Sequence, residues 1–394
     1  MRVLILHSEL GVLRGGGENF TRNLFVAFAQ RGHRVAAAFA ADPNARYPFA
    51  IPAGIDPIPI AGWWSSDLGQ ATLSAIGRHI PTTNGYRKTW DRVQEAFSWR
   101  VFRWHKRRFQ DRVGSTLFAR WNDYDAIYVH GDSLLASMAA RYRPTVLRLP
   151  GPLSPDYETE LRAVHAVCAN GDALLKIRAF LGDHAIELPI GLDNNLFRPG
   201  PTSIRAKLEW TDQHRVLGYV GRLTHVKGVD LLVAGFRDVL ASIPDARLLI
   251  VGQGELENSI RSILAKEISG GIAHIEPDVD HAELPSWYRA MNLFVMPSRY
   301  ENFSNAILEA IACGIPVVAS DVGGNAILAN EAGYLFEANS VPSLVVSLRR
   351  AAQDQRTAKE RAERLSRCIR KRYSWAVTAE RLDSIIASRL AIRK

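Results

Sequence analysis

The chain has 394 residues, 47% of them hydrophobic and 23% charged, and its 49 lysines and arginines against 40 acidic residues give a net charge of +9. This length favours two domains, and the composition excludes a disordered or fibrous protein. Three widely separated cysteines and no long apolar run exclude a disulfide framework, a cysteine-based zinc site and a membrane-spanning helix, so we expect a cytoplasmic protein.

The N-terminal segment predicts a strand, a glycine loop, a helix and a second strand. Residues 2–6 are an apolar strand, glycines occupy 15–17, and apolar periodicity predicts a helix over 19–31 and a strand at 35–39. Glycines before a helix let backbone N–H groups approach an anion. The run lacks the G-x-G-x-x-G spacing of dinucleotide sites, so a tight turn without a ligand is an equal alternative.

Residues 99–112 form the most concentrated basic segment, with six cations against one acid. Trp99, Phe102, Phe109 and Val113 recur at helical spacing, which predicts an apolar stripe beside a cationic surface. Net charge alone does not choose between nucleic acid, a membrane and a phosphorylated small molecule. Two interpretations of the stripe are equally weighted: it packs on its own domain, or it lies on an anionic membrane surface.

Short apolar segments alternate with helical patterns along both halves of the chain. Segments at 126–129 and 146–149 extend the first series, and "RVLGYVGRL" begins a second one. This alternation indicates parallel sheets covered by helices. We therefore predict an N-terminal doubly wound domain over 1–188, a hinge over 189–201, a second doubly wound domain over 202–373 and a C-terminal helix over 374–394.

The segment "GRLTHVKG" places Arg222 and Lys227 in a loop between a predicted strand and a predicted helix. A guanidinium can bind a phosphate through two hydrogen bonds and an ammonium acts as a point charge, so together they suit a diphosphate. Two solvated loop cations are the alternative. The glycine turn "VGQGE" at 251–255 follows another strand, at the sheet edge where ligands bind in open α/β folds.

The segment "YENFSNAILEAIACG" contains two glutamates, Glu301 in a loop and Glu309 on a helix predicted to begin near Ser304. Glu309 lies either on the exposed face of that helix or in a cleft, where its carboxylate would accept hydrogen bonds from ligand hydroxyls. Backbone N–H groups of Phe303 and Ser304 are placed to bind a phosphate between the two carboxylates. A ligand with hydroxyls at both ends and phosphates between them is a nucleotide sugar.

These motifs give the sequence a resemblance to retaining glycosyltransferases of the GT-B fold, in the family called glycosyl transferases group one. The resemblance is strongest over 219–336, through G-R-L-x-x-x-K-G, V-G-x-G, the E-x7-E pair and "EAIACGIPVVASDVGG", and thinner through the glycine loop and "DAIYVHG" at 125–131. It implies two Rossmann-like α/β domains facing across a cleft. The nucleotide would be bound mainly by the second domain and the acceptor by the first, with the C-terminal helix packing back on the first.

Motif position implies roles for individual residues. Arg222 and Lys227 would bind the donor diphosphate, and Glu309 would bind the ribose hydroxyls. Glu301 would bind the transferred sugar, and His130 would lie beside the reacting centre. Family members frequently have G-F-G after the first glutamate and N-G-V-D at the hinge, and this chain departs from both. The other donor-binding residues implied by position are Gly16, Gly17, Asn302, Phe303 and Ser304.

Stabilising the negative charge on the departing nucleotide is the main catalytic task that this resemblance implies. Arg222, Lys227 and helix N-termini suit that task, so we expect no metal and no other cofactor. Asp278 and Asp280 have an acidic spacing that is found in metal-dependent enzymes. We favour helix capping by Asp280 and Glu283 instead.

The sequence thus predicts a retaining, metal-independent transferase that moves a sugar from a UDP- or GDP-sugar to a hydroxyl acceptor. The expected acceptor is a lipid-linked or growing cell-surface glycan, the expected location is the cytoplasm or the inner face of the membrane, and no nucleic acid partner is expected. One alternative is a nucleotide-sugar epimerase on the same scaffold, and another is a noncatalytic basic binding protein.

Overall fold

The computed structural model of the chain describes residues 1–8, 10, 16–41, 54–62, 64, 89–151 and 157–391. Gly15 of the predicted glycine loop lies outside the described residues, as do the side chains of Trp99 and Phe102 in the predicted stripe. The chain divides into two compact units, Met1–Gly191 with Trp375–Lys394 and Leu192–Ser374.

The first unit is built on a parallel sheet of seven strands in the order β3-β2-β1-β4-β5-β6-β7. Its strands are rich in Val, Ile, Leu and Ala and are mostly buried, as expected for a parallel sheet covered by helices on both faces. The strands are β1 Arg2–His7, β2 Arg34–Ala40, β3 Ile55–Ile60, β4 Ala126–His130, β5 Thr145–Arg148, β6 Ala166–Ala169 and β7 Ala185–Glu187.

The second unit is built on a parallel sheet of six strands in the order β10-β9-β8-β11-β12-β13. The strands are β8 Arg215–Val220, β9 Ala246–Val251, β10 Ala273–Glu276, β11 Leu293–Met296, β12 Val317–Ser320 and β13 Gly333–Phe336. Both sheets are doubly wound, so both architectures agree with the α/β prediction.

Helices cover the two sheets. In the part of the first unit that precedes Gly191, the helices are α1 Gly16–Gln30, α2 Thr89–Leu117, α3 Ser133–Ala140, α4 Glu158–Ala163 and α5 Gly171–Leu181. Those of the second unit are α6 Ile204–Lys207, α7 Val229–Ser242, α8 Glu257–Ile263, α9 Ala265–Ser269, α10 Leu284–Arg289, α11 Asn305–Ala312, α12 Gly324–Ala332, α13 Val341–Gln353 and α14 Gln355–Arg372. The last helix, α15 Trp375–Ala391, returns to the first unit.

Each sheet has one point where the strand order reverses. In the first unit the order runs outward in opposite directions from the adjacent pair β1 and β4, and in the second unit from β8 and β11. Loops that leave the carboxyl ends of such a pair diverge and open a crevice, which is where ligands bind in open α/β sheets. The glycine loop and His130 follow β1 and β4, whereas the predicted cations and Glu301 follow β8 and β11.

The core of the first unit has two layers, one on each face of the sheet. On one face Phe109, Val113 and Leu117 of α2 are fully buried against the sheet. On the other face α1 and α15 pack together, with Leu382 and Ile386 buried in that layer. The apolar residues of the C-terminal tail therefore complete the core of the first unit.

The boundary between the units differs from the predicted hinge. It falls between Gly191 and Leu192, so residues 192–201 belong to the second unit. There the backbone N–H of Leu192 donates to the carbonyl of Tyr373, and Asn194 donates to the carbonyl of Arg370. These hydrogen bonds tie the start of the second unit to its end. Among the described residues, no helix is both long and apolar enough to cross a membrane.

Candidate active site

The loops after β8 and β11 meet at the point where the second sheet reverses. Gly228 has φ of +68°, and a Cβ added there would lie 1.8 Å from the carbonyl oxygen of Pro297, so only glycine permits this approach. The preceding residue, Lys227, places its ammonium Nζ 2.5 Å from Oε2 of Glu301. Two predicted site residues that are 74 positions apart in sequence are therefore in direct contact.

The carboxylate of Glu301 is buried, and a chain of hydrogen bonds holds it in place. Its Oε2 also accepts a hydrogen bond from Ser298 Oγ at 3.3 Å. The hydroxyl of Ser320 donates to the carbonyl of Ser298 at 2.6 Å, and Asn325 Nδ2 lies 3.4 Å from that hydroxyl. A buried carboxylate needs such partners, and this polar chain fixes its orientation. We did not identify Ser298 from the sequence, although its position just after a buried strand was a usable signal.

Arg222 lies in the loop that follows β8, and its side chain is exposed. The buried hydroxyl of Tyr219 donates to the carbonyl of Arg222 at 2.7 Å. Burial raises the pKa of Tyr219, the negative charge of Glu301 raises it further, and the Arg222 guanidinium opposes both. Within the described residues the guanidinium has no hydrogen bond or ion pair of its own, and its charge acts on the same Tyr219 hydroxyl as the charge of Glu301.

Glu309 is not on an exposed helix face, so that interpretation of the sequence is wrong. Its side chain is only 13% exposed because α11 packs against α10 there. Oε2 accepts a hydrogen bond from the Tyr288 hydroxyl at 2.8 Å, and Oε1 lies 3.5 Å from Nε2 of His281. Burial raises the pKa of Tyr288 well above its usual value, and the neighbouring Glu309 charge adds to the effect. The carboxylate keeps lone pairs for ligand hydroxyls.

The segment between the two glutamates is held by α12. The hydroxyl of Ser304 accepts from the backbone N–H of Ile307, which caps α11 where the sequence predicted its start. A Cβ on Gly324 would lie 2.2 Å from the carbonyl oxygen of Asn302, so the first turn of α12 can approach the segment only through glycine. This contact explains Gly324, the second glycine of "DVGG", whose packing role the sequence did not reveal.

The predicted residues of the first unit also come together. Gly17, in the first turn of α1, faces His130 at the end of β4, and a Cβ on this glycine would lie 3.0 Å from Nε2 of that histidine. The His130 ring is buried and stacks on the ring of His7 with centroids 4.4 Å apart. Gly16 is the first residue of α1. The two glycines lie 114 and 113 residues before the histidine in sequence, and all three residues share one sheet edge.

The side chains of Asp280 and Glu283 do not cap a helix as predicted. The helix α10 begins at Leu284, and its N-cap residue Glu283 makes no side-chain capping bond. Asp280 Oδ1 instead accepts from the backbone N–H of Ala282 at 3.2 Å, in the turn before the helix. The capping prediction is therefore wrong. The Asp280 side chain accepts from the backbone two residues further on, in a turn that precedes α10, and so does not cap the helix.

Comparisons with known proteins agree with this geometry. The family described as Glycosyl transferases group 1 matches residues 202–372. D-inositol 3-phosphate glycosyltransferase 1 of Catenulispora acidiphila is 31% identical over 306 residues, which cover 68% of this chain and 72% of the relative. A GDP-mannose-dependent monoacylated alpha-(1-6)-phosphatidylinositol monomannoside mannosyltransferase of Corynebacterium glutamicum is 31% identical over 231 residues, which cover 55% of this chain and 60% of the relative.

Solved structures share the fold over nearly the whole chain. Sucrose-phosphate synthase from Thermosynechococcus elongatus superposes with a TM-score of 0.74 at 20% identity, covering 99% of both chains. Anabaena HepE in complex with UDP-glucose superposes with a TM-score of 0.68 at 20% identity, covering 98% of this chain and 100% of that one. The range that the family match covers contains both glutamates and both loop cations. Because the sequence match also spans more than two thirds of a named relative, the chain belongs to the glycosyl transferases group 1 family and is a glycosyltransferase of the GT-B fold.

Proposed function

We propose that this enzyme transfers a sugar from a nucleotide-sugar donor to a hydroxyl acceptor with retention of configuration. The observation that carries the proposal is the Lys227–Glu301 contact at the reversal point of the second sheet. The exposed Arg222 follows the same strand as Lys227. Cations suit the diphosphate, and a carboxylate suits the hydroxyls of the sugar next to it. Glu309, held by Tyr288, suits the ribose hydroxyls at the other end of the donor.

The reaction follows from where charge develops. The bond from the anomeric carbon to the phosphate oxygen breaks, and its electron pair remains on the phosphate. The acceptor oxygen then forms a bond to the same face of the anomeric carbon, and its proton passes to the departing phosphate oxygen. Arg222 and Lys227 stabilise the charge on that phosphate as it forms, a contribution of about 3 kcal/mol for one important donor. The two cations are the basis for our proposal that the enzyme works without a metal.

A thermal-shift panel of UDP-, GDP-, ADP- and dTDP-glucose, extended to the matching mannose donors, tests this function. A ligand at one hundred times its dissociation constant stabilises the folded protein by about 2.7 kcal/mol. We expect a shift with UDP- or GDP-sugars, because HepE is solved with UDP-glucose and the Corynebacterium relative is named for GDP-mannose. Free nucleoside diphosphate should appear only when acceptor is present, whereas an isomerised sugar nucleotide would identify an epimerase instead.

Glu309→Ala should lose the shift produced by the active donor, since the ribose hydroxyls then lose their carboxylate acceptor. Glu360→Ala, an exposed acid on α14, is the matched control and should keep the full shift. An unchanged shift in Glu309→Ala would remove this residue from the donor site. Because Tyr288 also loses its hydrogen-bond acceptor in this variant, the ligand-free unfolding temperature is measured alongside.

We further propose that the acceptor is lipid-linked or part of a growing cell-surface glycan, and that α2 brings the enzyme to the anionic inner face of the membrane. Phe109 and Val113 of the predicted stripe are buried in the enzyme's own core and are unavailable to lipid. The outward face instead presents Trp104, which is 44% exposed, with the guanidinium of Arg108 over its ring and Arg107 beside them. Aromatic rings flanked by arginines suit the lipid headgroup region.

The double substitution Arg107→Ala and Arg108→Ala should weaken co-sedimentation with phosphatidylserine-containing vesicles by about 30-fold, since each arginine near an anionic surface contributes about 1 kcal/mol. Arg2→Ala with Arg34→Ala removes the same charge from the amino edge of the same unit's sheet and serves as the control. Equal binding of the wild-type enzyme to neutral and anionic vesicles would contradict the membrane proposal. Transferase activity on a soluble acceptor is expected to stay unchanged.

A further inference from the structure

Two buried hydroxyl groups converge on one ring nitrogen of His130. Thr21 Oγ1 lies 3.1 Å from Nδ1 and the Tyr128 hydroxyl lies 3.3 Å from the same atom. Thr21 and Tyr128 are both fully buried. Within the described part of the chain, neither hydroxyl has another hydrogen-bond partner. Each therefore depends on Nδ1 to accept its proton.

This arrangement selects one tautomer of the imidazole. If Nδ1 carried the proton, it would have no lone pair in the ring plane, and both buried hydroxyl protons would lack an acceptor. If Nδ1 is bare, it accepts from both hydroxyls and no buried donor is left unsatisfied on this side. A neutral ring with a bare Nδ1 carries its proton on Nε2.

The opposite nitrogen, Nε2, is buried and has no hydrogen-bond partner among the described residues. It points at the first turn of α1, where a Cβ added to Gly17 would lie 3.0 Å from Nε2. Glycine has no Cβ, so no side chain of α1 occupies this position. The first N–H groups of a helix also lack acceptors within the helix. One buried ring donor, which has no hydrogen-bond partner among the described residues, therefore faces the amino end of α1.

The charged groups around His130 disfavour the imidazolium form. Burial is the main cause that lowers the pKa of His130 well below its usual value. His7 on β1, Arg148 on β5 and Lys106 on α2 lower it further. The carboxylate of Glu18 on α1 lies 4.0 Å from Nε2 of the stacked His7 ring. Burial and the neighbouring cations therefore favour the neutral form of the ring over the imidazolium.

We infer that His130 serves as a neutral Nε2–H hydrogen-bond donor to an oxygen atom of a substrate bound at the first unit, and that Thr21 and Tyr128 are positioning residues that fix this tautomer. The ligand class is an acceptor oxygen, either a sugar hydroxyl or a phosphoryl oxygen. Since Nε2 already carries a proton, His130 is not the base that removes the acceptor proton. This inference deepens the proposed function and rests on it for its kinetic part alone.

The tautomer is tested first, on the full-length enzyme without any substrate. Two-bond 1H–15N spectra of protein with 15N-labelled histidine distinguish protonated from bare ring nitrogens, and His130→Gln identifies the His130 signals by their loss. We expect a protonated Nε2 and a bare Nδ1 at neutral pH. In Thr21→Val with Tyr128→Phe the two tautomers should mix. A protonated Nδ1 would overturn the inference whatever reaction the enzyme catalyses.

Kinetics with the donor found in the panel then separate a hydrogen-bond donor from a base. The terminal amide of glutamine presents an N–H near the position of Nε2, whereas glutamate has a similar length and, ionised, only accepts. We expect His130→Gln to keep kcat/KM within about tenfold of wild type, and His130→Glu and His130→Ala to lose about 10² to 10³-fold, the usual cost of one such donor. A glutamine variant as impaired as alanine would contradict the donor role.

A double-mutant cycle tests the two positioning residues. Thr21→Val with Tyr128→Phe should lower kcat/KM in the wild-type background and cost nothing further in the His130→Gln background, because these hydroxyls act only through the imidazole. An equal loss in both backgrounds would show that they act on the fold instead. Inorganic phosphate and the soluble acceptor, tested as separate ligands in the spectra, would show which oxygen shifts the Nε2 signal.

Discussion

Lys227→Ala should abolish the thermal stabilisation by the donor and lower kcat/KM by about 10² to 10³-fold, as is typical when a single charge-stabilising group is removed. The ammonium of Lys227 is the only cation that the structure places in contact with Glu301 within the described residues. It is partly buried, with 22% of its side chain exposed, so solvent screens it less than a surface lysine. Its loss removes positive charge from the place where the leaving phosphate becomes more negative.

The same variant leaves Glu301 without its ammonium partner, so the ligand-free unfolding temperature should also fall modestly. Lys371→Ala, an exposed lysine on α14, removes an equal charge from the same unit and should change neither quantity. A normal donor shift in Lys227→Ala would exclude this lysine from the phosphate site. A lost shift with an intact circular dichroism spectrum would place the loss in binding.

Glu301→Gln should separate nucleotide binding from sugar transfer. The neutral amide has the same shape as the carboxylate and removes the negative charge that occupies Lys227, 2.5 Å away. We therefore expect the free nucleoside diphosphate of the active donor to bind up to about tenfold more tightly, a gain of about 1.4 kcal/mol. The turnover number should fall by about 10²-fold, because the carboxylate that would accept from the transferred sugar is gone.

Isothermal titration with the nucleoside diphosphate and steady-state kinetics provide the two measurements for Glu301→Gln. Glu360→Gln on α14 is the matched control, and both of its constants should equal those of the wild type. Parallel losses of nucleotide affinity and turnover would mean that the Lys227–Glu301 pair is a structural ion pair. Opposite changes would show that the carboxylate competes with phosphate for the lysine in the ligand-free enzyme.

Much of the fold was predictable because its signals are local. Alternating apolar strands and amphipathic helices determine a doubly wound sheet almost independently of the rest of the chain, and Ser304 marks the start of α11 by its own capping bond. The candidate site was found through motif spacing. Lys227 and Glu301 follow strands that the topology places side by side, so their contact is a consequence of the strand order.

Other features depend on contacts between distant segments. The Tyr288 hydroxyl donates to Glu309, so the face of α11 that carries Glu309 packs against α10. The simplest interpretation of the amphipathic helix, in which this face is exposed, is therefore wrong. The predicted stripe on α2 turns Phe109 and Val113 inward, and Trp104, which the stripe did not include, faces outward. Helical periodicity gives the angle between two side chains around the helix axis. It does not show which side of the helix packs against the core.

The amino-acid sequence by itself determined the fold class, the two doubly wound units and the identity of the residues at each reversal point, because backbone hydrogen bonding and apolar periodicity act over short distances. Only the tertiary structure decided which buried polar atoms of the described residues have hydrogen-bond partners and which do not. The Lys227–Glu301 ion pair and the unpartnered Nε2 of His130 each depend on segments more than 70 residues apart in sequence, whose side-chain distances are set by packing around the whole core.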